Sequence, residues 1–179
     1  NTIERSILLI KTIKTISVSG FVICLLIMYM TRHGISGIRE FDPSFRLLDM
    51  RFQYSSETIQ QTFEKIHDGG RLAYKKYLLL DFIFIAFFFI TMLTISDAVL
   101  VSSHAKIIIF IVCGLRALFD ILENVLLLHM LDQYPIFNQL LAKLSSNFTS
   151  LKFIMLYLWL MTIVFQAVIH GINLIKRYL

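Results

Sequence analysis

Several features that are common in soluble domains are missing from this 179-residue sequence. It has only two prolines, and its two cysteines, Cys24 and Cys113, both fall in long apolar stretches, so a disulfide framework is not indicated. No HExxH, Walker, GxSxG or CxxC pattern occurs. The sequence therefore predicts no metal site and no cofactor, and it carries no motif of a common hydrolase or nucleotide-binding class.

Hydrophobic residues make up 57% of the chain and the mean hydropathy is +0.74, both well above the range of soluble globular proteins. We therefore expect an integral membrane protein. The formal net charge of +5 is modest, and the basic residues flank apolar segments instead of forming a tract. This pattern suits contact with anionic lipid headgroups and gives no indication of nucleic-acid binding.

Four apolar stretches are candidate membrane spans, at residues 16–30, 77–95, 107–128 and 151–172. The first has basic flanks and no small-residue cleavage site, which favours a retained anchor, and residues 1–15 form an amphipathic approach to it. Residues 40–70 are mixed polar and charged, with the periodicity of a folded cap. The predicted fold is an all-α, single transmembrane domain over residues 1–179: a four-helix bundle with one or two interfacial amphipathic helices between spans 1 and 2.

Within the cap, two helices are predicted. The segment 42–44, Asp-Pro-Ser, is typical of a helix start and is followed by a short interfacial helix. A second helix begins at 55–58, and residues 68–70, Asp-Gly-Gly, are expected to end it. The apolar face of this second helix comprises Ile59, Phe63 and Ile66.

The third span is apolar except for a polar stripe of Arg116, Asp120, Glu123 and Asn124 on one face. Its apolar residues favour insertion by about 5 to 9 kcal/mol, whereas three charges near the centre cost about 2.5 to 3.5 kcal/mol each. The helix therefore needs neighbours that cover the stripe. One interpretation is a functional site, with Asp120 or Glu123 as acid or base. The other is structural: Arg116 pairs with Asp120, while Glu123 and Asn124 bond to neighbouring helices.

Four further residues complete the candidate site. Asp81 lies about a turn inside the second span, and Arg71 and Tyr74 precede it at the expected mouth of the same cavity. Lys152 opens the fourth span, whose milder polar stripe continues toward the end of the chain. The charge pair of Asp49 and Arg51 is interpreted as a loop scaffold. Ser145 and Ser146 are not assigned as nucleophiles, since no base is evident nearby.

With these residues in view, the chain resembles a group of small four-span membrane proteins of uncharacterised function. The resemblance rests on Gly70-Arg71-x-x-Tyr74, which leads to Asp81, and on Asp120-x-x-Glu123-Asn124. Shorter matches are Asp49-x-Arg51-Phe52-x-Tyr54-Ser55, Tyr134-Pro135 and Lys152. The resemblance implies a four-helix bundle with a polar centre built from these positions, and it brings no known reaction.

Three hypotheses for the function follow. The first is binding of a lipid or other amphiphile, whose polar head would meet Arg71, Tyr74, Asp81, Arg116, Asp120, Glu123, Asn124 and Lys152. The second is a non-catalytic accessory subunit of a larger membrane complex, and the third is an intramembrane lipid-modifying enzyme. The expected partners are membrane lipids and, in the second case, other subunits or further copies of the chain.

The protein is expected in an inner, plasma or organelle membrane, with both termini on one side because the number of spans is even. Lys and Arg are more numerous in the segment 31–76 and the last loop than beside the termini, which favours a cytoplasmic cap. Acidic residues are interleaved with them, and the first span is nearly balanced across its two ends. The orientation therefore stays open at the level of sequence.

Overall fold

The computed structural model describes the backbone of residues 2–178 and, within them, every side chain except those of residues 2, 3, 7, 174, 177 and 178. Residues 1 and 179, the ends of the predicted domain, lie outside the described residues. Over the described range the chain forms helices and no β-strand, which confirms the all-α class. The helices are α1 (Thr2–Met30), α2 (Ile35–Arg39), α3 (Ser56–Lys65), α4 (His67–Val99), α5 (Ser103–Gln133) and α6 (Gln139–Tyr178).

Three helical stretches are long and apolar enough to cross a membrane, namely Glu4–Arg39, His67–Val99 and Gln139–Asn173. This length and composition are compatible with a membrane protein. The fourth long helix, α5, has 31 residues, but charged residues interrupt its middle. Residues 2–15 of the predicted amphipathic approach are the first turns of α1, and α6 begins twelve residues before the predicted fourth span, at Gln139. No proline or other strong breaker separates them from the apolar runs, so the helices continue.

The long helices pack in chain order, α1 on α4, α4 on α5 and α5 on α6. Ion pairs mark the two ends of this bundle. At one end Asp97 of α4 accepts from Lys14 of α1 at 3.0 Å and from Lys106 of α5 at 2.8 Å. At the other end Lys75 of α4 pairs with Asp132 near the end of α5. Successive long helices are therefore antiparallel, and the segment 31–66 forms a cap at the second end.

The structure corrects the first of the two predicted cap helices. Residues 42–44 form a turn in which Asp42 accepts hydrogen bonds from the backbone N–H and the hydroxyl of Ser44, and residues 45–55 are irregular. Phe45, Leu47 and Leu48 of this stretch are buried against the bundle. An irregular chain can bury neighbouring side chains that a helix would place on different faces, and this tertiary burial overrides the local helix signal.

The second cap helix is present as α3. The hydroxyl of Ser55 caps it by accepting from the backbone N–H of Thr58 at 3.2 Å, and its predicted apolar face is buried. Its predicted end at 68–70 is wrong, because α3 ends at Lys65 and the chain turns at His67, where φ is 53°.

Residues 68–70 instead lie in the first turns of α4. A Cβ atom at Gly69 would lie 2.3 Å from the ring of Phe41, and one at Gly70 would lie 2.7 Å from Cβ of Ile66. These glycines therefore allow the cap to approach the helix closely and do not end a helix.

Candidate functional site

A chain of ion pairs lies at the centre of the bundle. Asp120 of α5 accepts from Arg116 at 2.6 Å and from Lys152 of α6 at 2.7 Å, and Lys152 also lies 2.7 Å from Glu123. All four side chains are buried, and we call them the charge cluster. The i,i+4 spacing brings Arg116 and Asp120 together within one helix, whereas Lys152 reaches them because α5 and α6 are antiparallel neighbours.

A second buried contact connects α5 to α4. The side-chain amide of Asn124 donates to the carboxylate of Asp81 at 2.6 Å, and both residues are buried. Together with the charge cluster, this contact makes the polar stripe of α5 the place where three helices meet. The contacts expected under the structural interpretation are therefore present: Glu123 bonds to Lys152, and Asn124 bonds to Asp81 of α4.

A hydrogen-bond network extends from Glu123 to the cap. One oxygen of Glu123 accepts from the hydroxyl of Thr149 at 2.5 Å and from that of Tyr54 at 3.2 Å, and Tyr54 shares a bond of 2.8 Å with Ser145. The backbone N–H of Tyr54 donates to Ser146 at 3.0 Å. Burial, reinforced by the negative charge of Glu123, raises the pKa of Tyr54, so this phenol acts as a neutral donor.

Sequence reasoning missed this network. The sequence shows no base near Ser145 and Ser146. In the structure, the hydroxyl of Tyr54 contacts both Glu123 and Ser145, and so connects this carboxylate to the serine. Tyr54 lies in the irregular part of the cap, so no helical periodicity could have connected it to α5 or α6. The only signal was its place in the short run from Asp49 to Ser55 that carries the resemblance.

Asp49 is a second residue that the sequence did not assign to the site. It is 3% exposed, Oδ2 lies 3.5 Å from the hydroxyl of Tyr77, and Oδ1 has no hydrogen-bond partner. Burial raises the pKa of Asp49 well above its ordinary value, and the positive charge of Lys152 opposes this effect only in part. The predicted charge pair of Asp49 and Arg51 does not form, because Asp49 is buried near Tyr77, whereas Arg51 lies 3.5 Å from the carbonyl of Arg46.

A cavity of about 160 Å³ lies between α1, α4, α5 and α6. Part of its wall is charged and part is apolar. The charged lining residues are Asp49, Asp81, Arg116, Asp120 and Lys152. The apolar lining residues include Leu25, Phe84, Phe88, Phe153 and Leu156.

The charge balance around this cavity is negative. Three carboxylates line it, those of Asp49, Asp81 and Asp120, against the two cations of Arg116 and Lys152, which gives −1 if all five are ionised. Glu123, buried behind Lys152, adds a fourth carboxylate. The guanidinium of Arg116 lies 4.5 Å from the ring centroid of Phe88, and its Nε and Nη1 atoms have no hydrogen-bond partner. Buried polar atoms without partners at a cavity wall indicate a place for water or for polar atoms of a ligand.

Four of the eight predicted site residues do not line this cavity. Glu123 and Asn124 lie next to it, bonded to the lining residues Lys152 and Asp81, whereas Arg71 and Tyr74 lie apart from it. Arg71 donates to the carbonyl of Phe63 at 2.8 Å, pairs with Asp68, and stacks over Tyr134 at 4.0 Å. Tyr74 is fully buried among aromatic rings of the cap and α4. The expectation that they form the mouth of the cavity does not hold, because both instead fasten the cap to the end of the bundle.

The chain matches no family model, no curated protein and no solved structure. The function of the site is therefore argued from its geometry alone. Among the described residues, no group of three or more His, Cys, Asp and Glu side chains is placed to hold a metal ion. What the arrangement offers is a small polar cavity with fixed charges on one side and aromatic rings on the other.

Proposed function

We propose that this chain is a four-span membrane protein that binds the polar end of a lipid or other amphiphile in the central cavity. The spans are α1, α4, α5 and α6, which places both termini on one side of the membrane. The larger number of basic residues on the cap side favours a cytoplasmic cap.

The division of α5 into two faces supports its place as the fourth span. Its charged residues are buried against α4 and α6, so their cost in the bilayer is met by ion pairs inside the protein. The face that remains exposed is apolar as far as Val125 and ends in His129 near the cap; its apolar members are Ile107, Ile108, Ile111, Leu115, Leu118, Ile121 and Val125. A helix of this kind is stable in lipid only when its partners cover the polar side, as they do in this bundle.

The observation that carries the proposal is the mixed wall of the cavity. Asp49 and Arg116 have buried atoms without hydrogen-bond partners, which a polar group of a ligand would satisfy. The aromatic rings beside them form an apolar surface on which an alkyl chain would pack. At about 160 Å³ the cavity exceeds the roughly 30 Å³ of a single water molecule, yet it is smaller than a typical pocket for a whole drug-sized ligand. It therefore fits a small head or one end of a larger molecule.

The cavity also has a route to the bilayer. Over the part of the chain that the structure describes, α1 and α6 have no extensive packing against each other, and both contribute to the cavity wall. Tyr29, Met50 and Phe153 line the cavity and are themselves partly exposed. An amphiphile in the membrane could enter between α1 and α6 with its polar end first.

The accessory-subunit hypothesis is favoured by a different observation. In the most apolar 18-residue stretch of α6, only 6% of the residues are buried, so most of this stretch faces outward. Lipid alone could cover that surface, and so could the helices of a partner. The enzyme hypothesis named Asp120 or Glu123 as acid or base. Asp120 lines the cavity, but its two oxygens pair with Arg116 and Lys152. Glu123 does not line the cavity and is enclosed by Lys152, Thr149 and Tyr54.

Native mass spectrometry of the protein, extracted gently from its own membrane, tests the proposal. We expect a discrete retained small-molecule mass in the wild type. Leu156→Trp fills the cavity from α6 and should abolish this retention, and Leu25→Trp should do the same from α1. Leu158→Trp, on the exposed face of α6, is the matched control and should retain the mass.

Two results would contradict the proposal. One is equal retention by the wild type, Leu156→Trp and Leu25→Trp. The other is a wild-type spectrum dominated by stoichiometric partner chains with no small molecule, which would make the protein an accessory subunit and the polar stripe a purely structural device. A thermal melt of each variant in detergent verifies that the bundle is folded.

A further inference from the structure

A second concave site lies in the cap, outside the central cavity. It is a cleft of about 670 Å³ between the end of α1, α2 and the irregular segment that follows α2. Arg39, Arg46 and Arg51 line it together with Ser44, and we call it the arginine cleft. It adjoins the mouth of the central cavity, because Tyr29 and Met50 line both spaces.

The positive charge of the arginine cleft is not balanced. Among the described residues, no carboxylate lines the cleft and none forms an ion pair with its three arginines. Three acidic residues lie near in sequence. Glu40 pairs with Arg32 at 3.0 Å, and Asp49 lines the central cavity. Asp42 accepts from Ser44 at 2.7 Å and lines a smaller neighbouring pocket with Arg46 and Arg51, without an ion pair to either. The cleft therefore carries three guanidinium groups and no carboxylate in its own lining, so its charge is net positive.

Local hydrogen bonds constrain two of these arginines. Nε of Arg39 donates to the carbonyl of Phe45 at 3.2 Å, and Nη2 of Arg51 lies 3.5 Å from the carbonyl of Arg46. Each bond uses one donor of a group that has five, so the remaining N–H groups are available to an anion. Constrained guanidinium forks match the geometry of a phosphate better than mobile lysines do.

The surroundings of the cleft are those of a membrane surface. Leu26, Tyr29 and Met30, at the end of α1, are 50%, 49% and 75% exposed, so the apolar surface of the bundle continues up to the cap. Phe41 and Phe52 of the cap are exposed as well, at 46% and 54%. Exposed aromatic residues beside basic residues, at the end of an apolar helix surface, are typical of the headgroup region of a bilayer.

We propose that the arginine cleft binds the phosphate of an anionic membrane lipid, with the headgroup between Arg39, Arg46 and Arg51 and the acyl chains along α1. The volume of the cleft accommodates a headgroup, which the central cavity of about 160 Å³ would admit only in part. The two sites differ in sign as well, since the arginine cleft lacks carboxylates and the cavity has an excess of them. This inference does not depend on what occupies the central cavity.

The test uses the full chain, purified in detergent, stripped of lipid and titrated with defined lipids under native mass spectrometry. Dioleoyl phosphatidic acid is the anionic probe and dioleoyl phosphatidylcholine is the zwitterionic one. We expect the wild type to retain phosphatidic acid in preference to phosphatidylcholine. The double variant Arg46→Gln/Arg51→Gln should lower the affinity for phosphatidic acid by about tenfold or more, because each basic contact at a lipid surface contributes substantially.

The matched control is Lys76→Gln/Lys143→Gln, which removes the same charge from exposed positions at the same end of the bundle. It should bind phosphatidic acid as the wild type does. Equal losses in the two double variants would overturn the proposal in favour of diffuse electrostatic attraction, and no loss in Arg46→Gln/Arg51→Gln would overturn it outright. Competition by millimolar inorganic phosphate, as strong as that by the lipid, would mean that the cleft takes a free anion and would also overturn it.

Discussion

The charge cluster and the arginine cleft contain the same kinds of side chain in opposite situations. In the charge cluster, Arg116 and Lys152 are buried and each contacts a carboxylate within 2.7 Å. In the arginine cleft the cations remain at the surface, and no carboxylate among the described residues lines the cleft or forms an ion pair with them. The comparison shows that charge in this protein serves assembly where it is buried, and that it remains available to an external anion where it is exposed.

The energetic consequences of the two arrangements differ. A buried charge is tolerated only while its partners are present, so removing one partner leaves the others uncompensated in a medium of low dielectric constant. An exposed charge is solvated with or without a partner and contributes little to folding. The following predictions test this difference.

The largest effect is expected from Lys152→Met. This change removes the cation that Asp120 and Glu123 share, and it leaves four buried carboxylates with Arg116 alone. We expect a loss of about 3–5 kcal/mol of stability, measured as a fall in the midpoint of thermal unfolding in detergent. Lys143→Met, at an exposed position of the same helix, should change stability by less than about 0.5 kcal/mol.

A double variant sharpens the interpretation of this result. In Lys152→Met, Asp120 keeps its ion pair with Arg116, whereas Glu123 loses its cation. Lys152→Met/Glu123→Gln removes that uncompensated charge, so it should recover part of the lost stability. An unchanged unfolding midpoint for Lys152→Met would show that water solvates the cluster and that the ion pairs do not hold the bundle together.

An intermediate effect is expected for Asp49, and it depends on pH. Because burial raises the pKa of Asp49 above its ordinary value of 3.8, the folded state retains the proton that the unfolded state releases first. Its contribution to stability is therefore complete below about pH 4 and is lost as the pH rises through the folded-state pKa. The groups that modulate this titration are Lys152, Asp81, Glu123 and Asp120.

Asp49→Asn mimics the protonated form at every pH. The variant should match the wild type near pH 4 and become progressively more stable than the wild type as the pH increases. Thermal melts of both proteins at several pH values measure this difference. A constant difference across the series would mean that Asp49 keeps an ordinary pKa in the folded protein.

The smallest effect is expected for Arg46→Gln. The side chain of Arg46 is exposed and makes no ion pair among the described residues, so the unfolding midpoint should correspond to a change within about 0.5 kcal/mol. A loss of stability comparable to that of Lys152→Met would show that the exposed arginines support folding as strongly as the charge cluster does, which contradicts the comparison. A small gain in stability would fit relief of repulsion among the three arginines.

The sequence allowed the parts of the site that lie on one helix to be predicted. Helical periodicity placed Arg116, Asp120, Glu123 and Asn124 on one face, and the cost of charge in an apolar span indicated that neighbouring helices had to cover them. It also indicated that Glu123 and Asn124 bond to neighbouring helices. The structure shows Lys152 of α6 at 2.7 Å from Glu123 and Asp81 of α4 at 2.6 Å from Asn124.

The parts contributed by the cap could not be predicted in this way. Asp49 and Tyr54 lie in an irregular segment, and Tyr54 contacts residues more than sixty positions away. Irregular backbone has no period from which a face can be assigned, and long-range partners leave no local mark on the sequence. The same reason explains the error at 42–44, where a sound helix-start signal was overridden by burial of the residues that follow.

The seam between the cap and α6 has a consequence for the biogenesis of the protein. The hydroxyl of Ser150 donates to the carbonyl of Phe52 at 2.6 Å, and Ser146 accepts from the backbone of Tyr54. The cap lies between α1 and α4 in the sequence, yet part of its hydrogen bonding is made with α6, the last helix of the chain. During synthesis the cap can complete these hydrogen bonds only after α6 has been made. A chain truncated before α6 would also lack Lys152, the cation that Asp120 and Glu123 share.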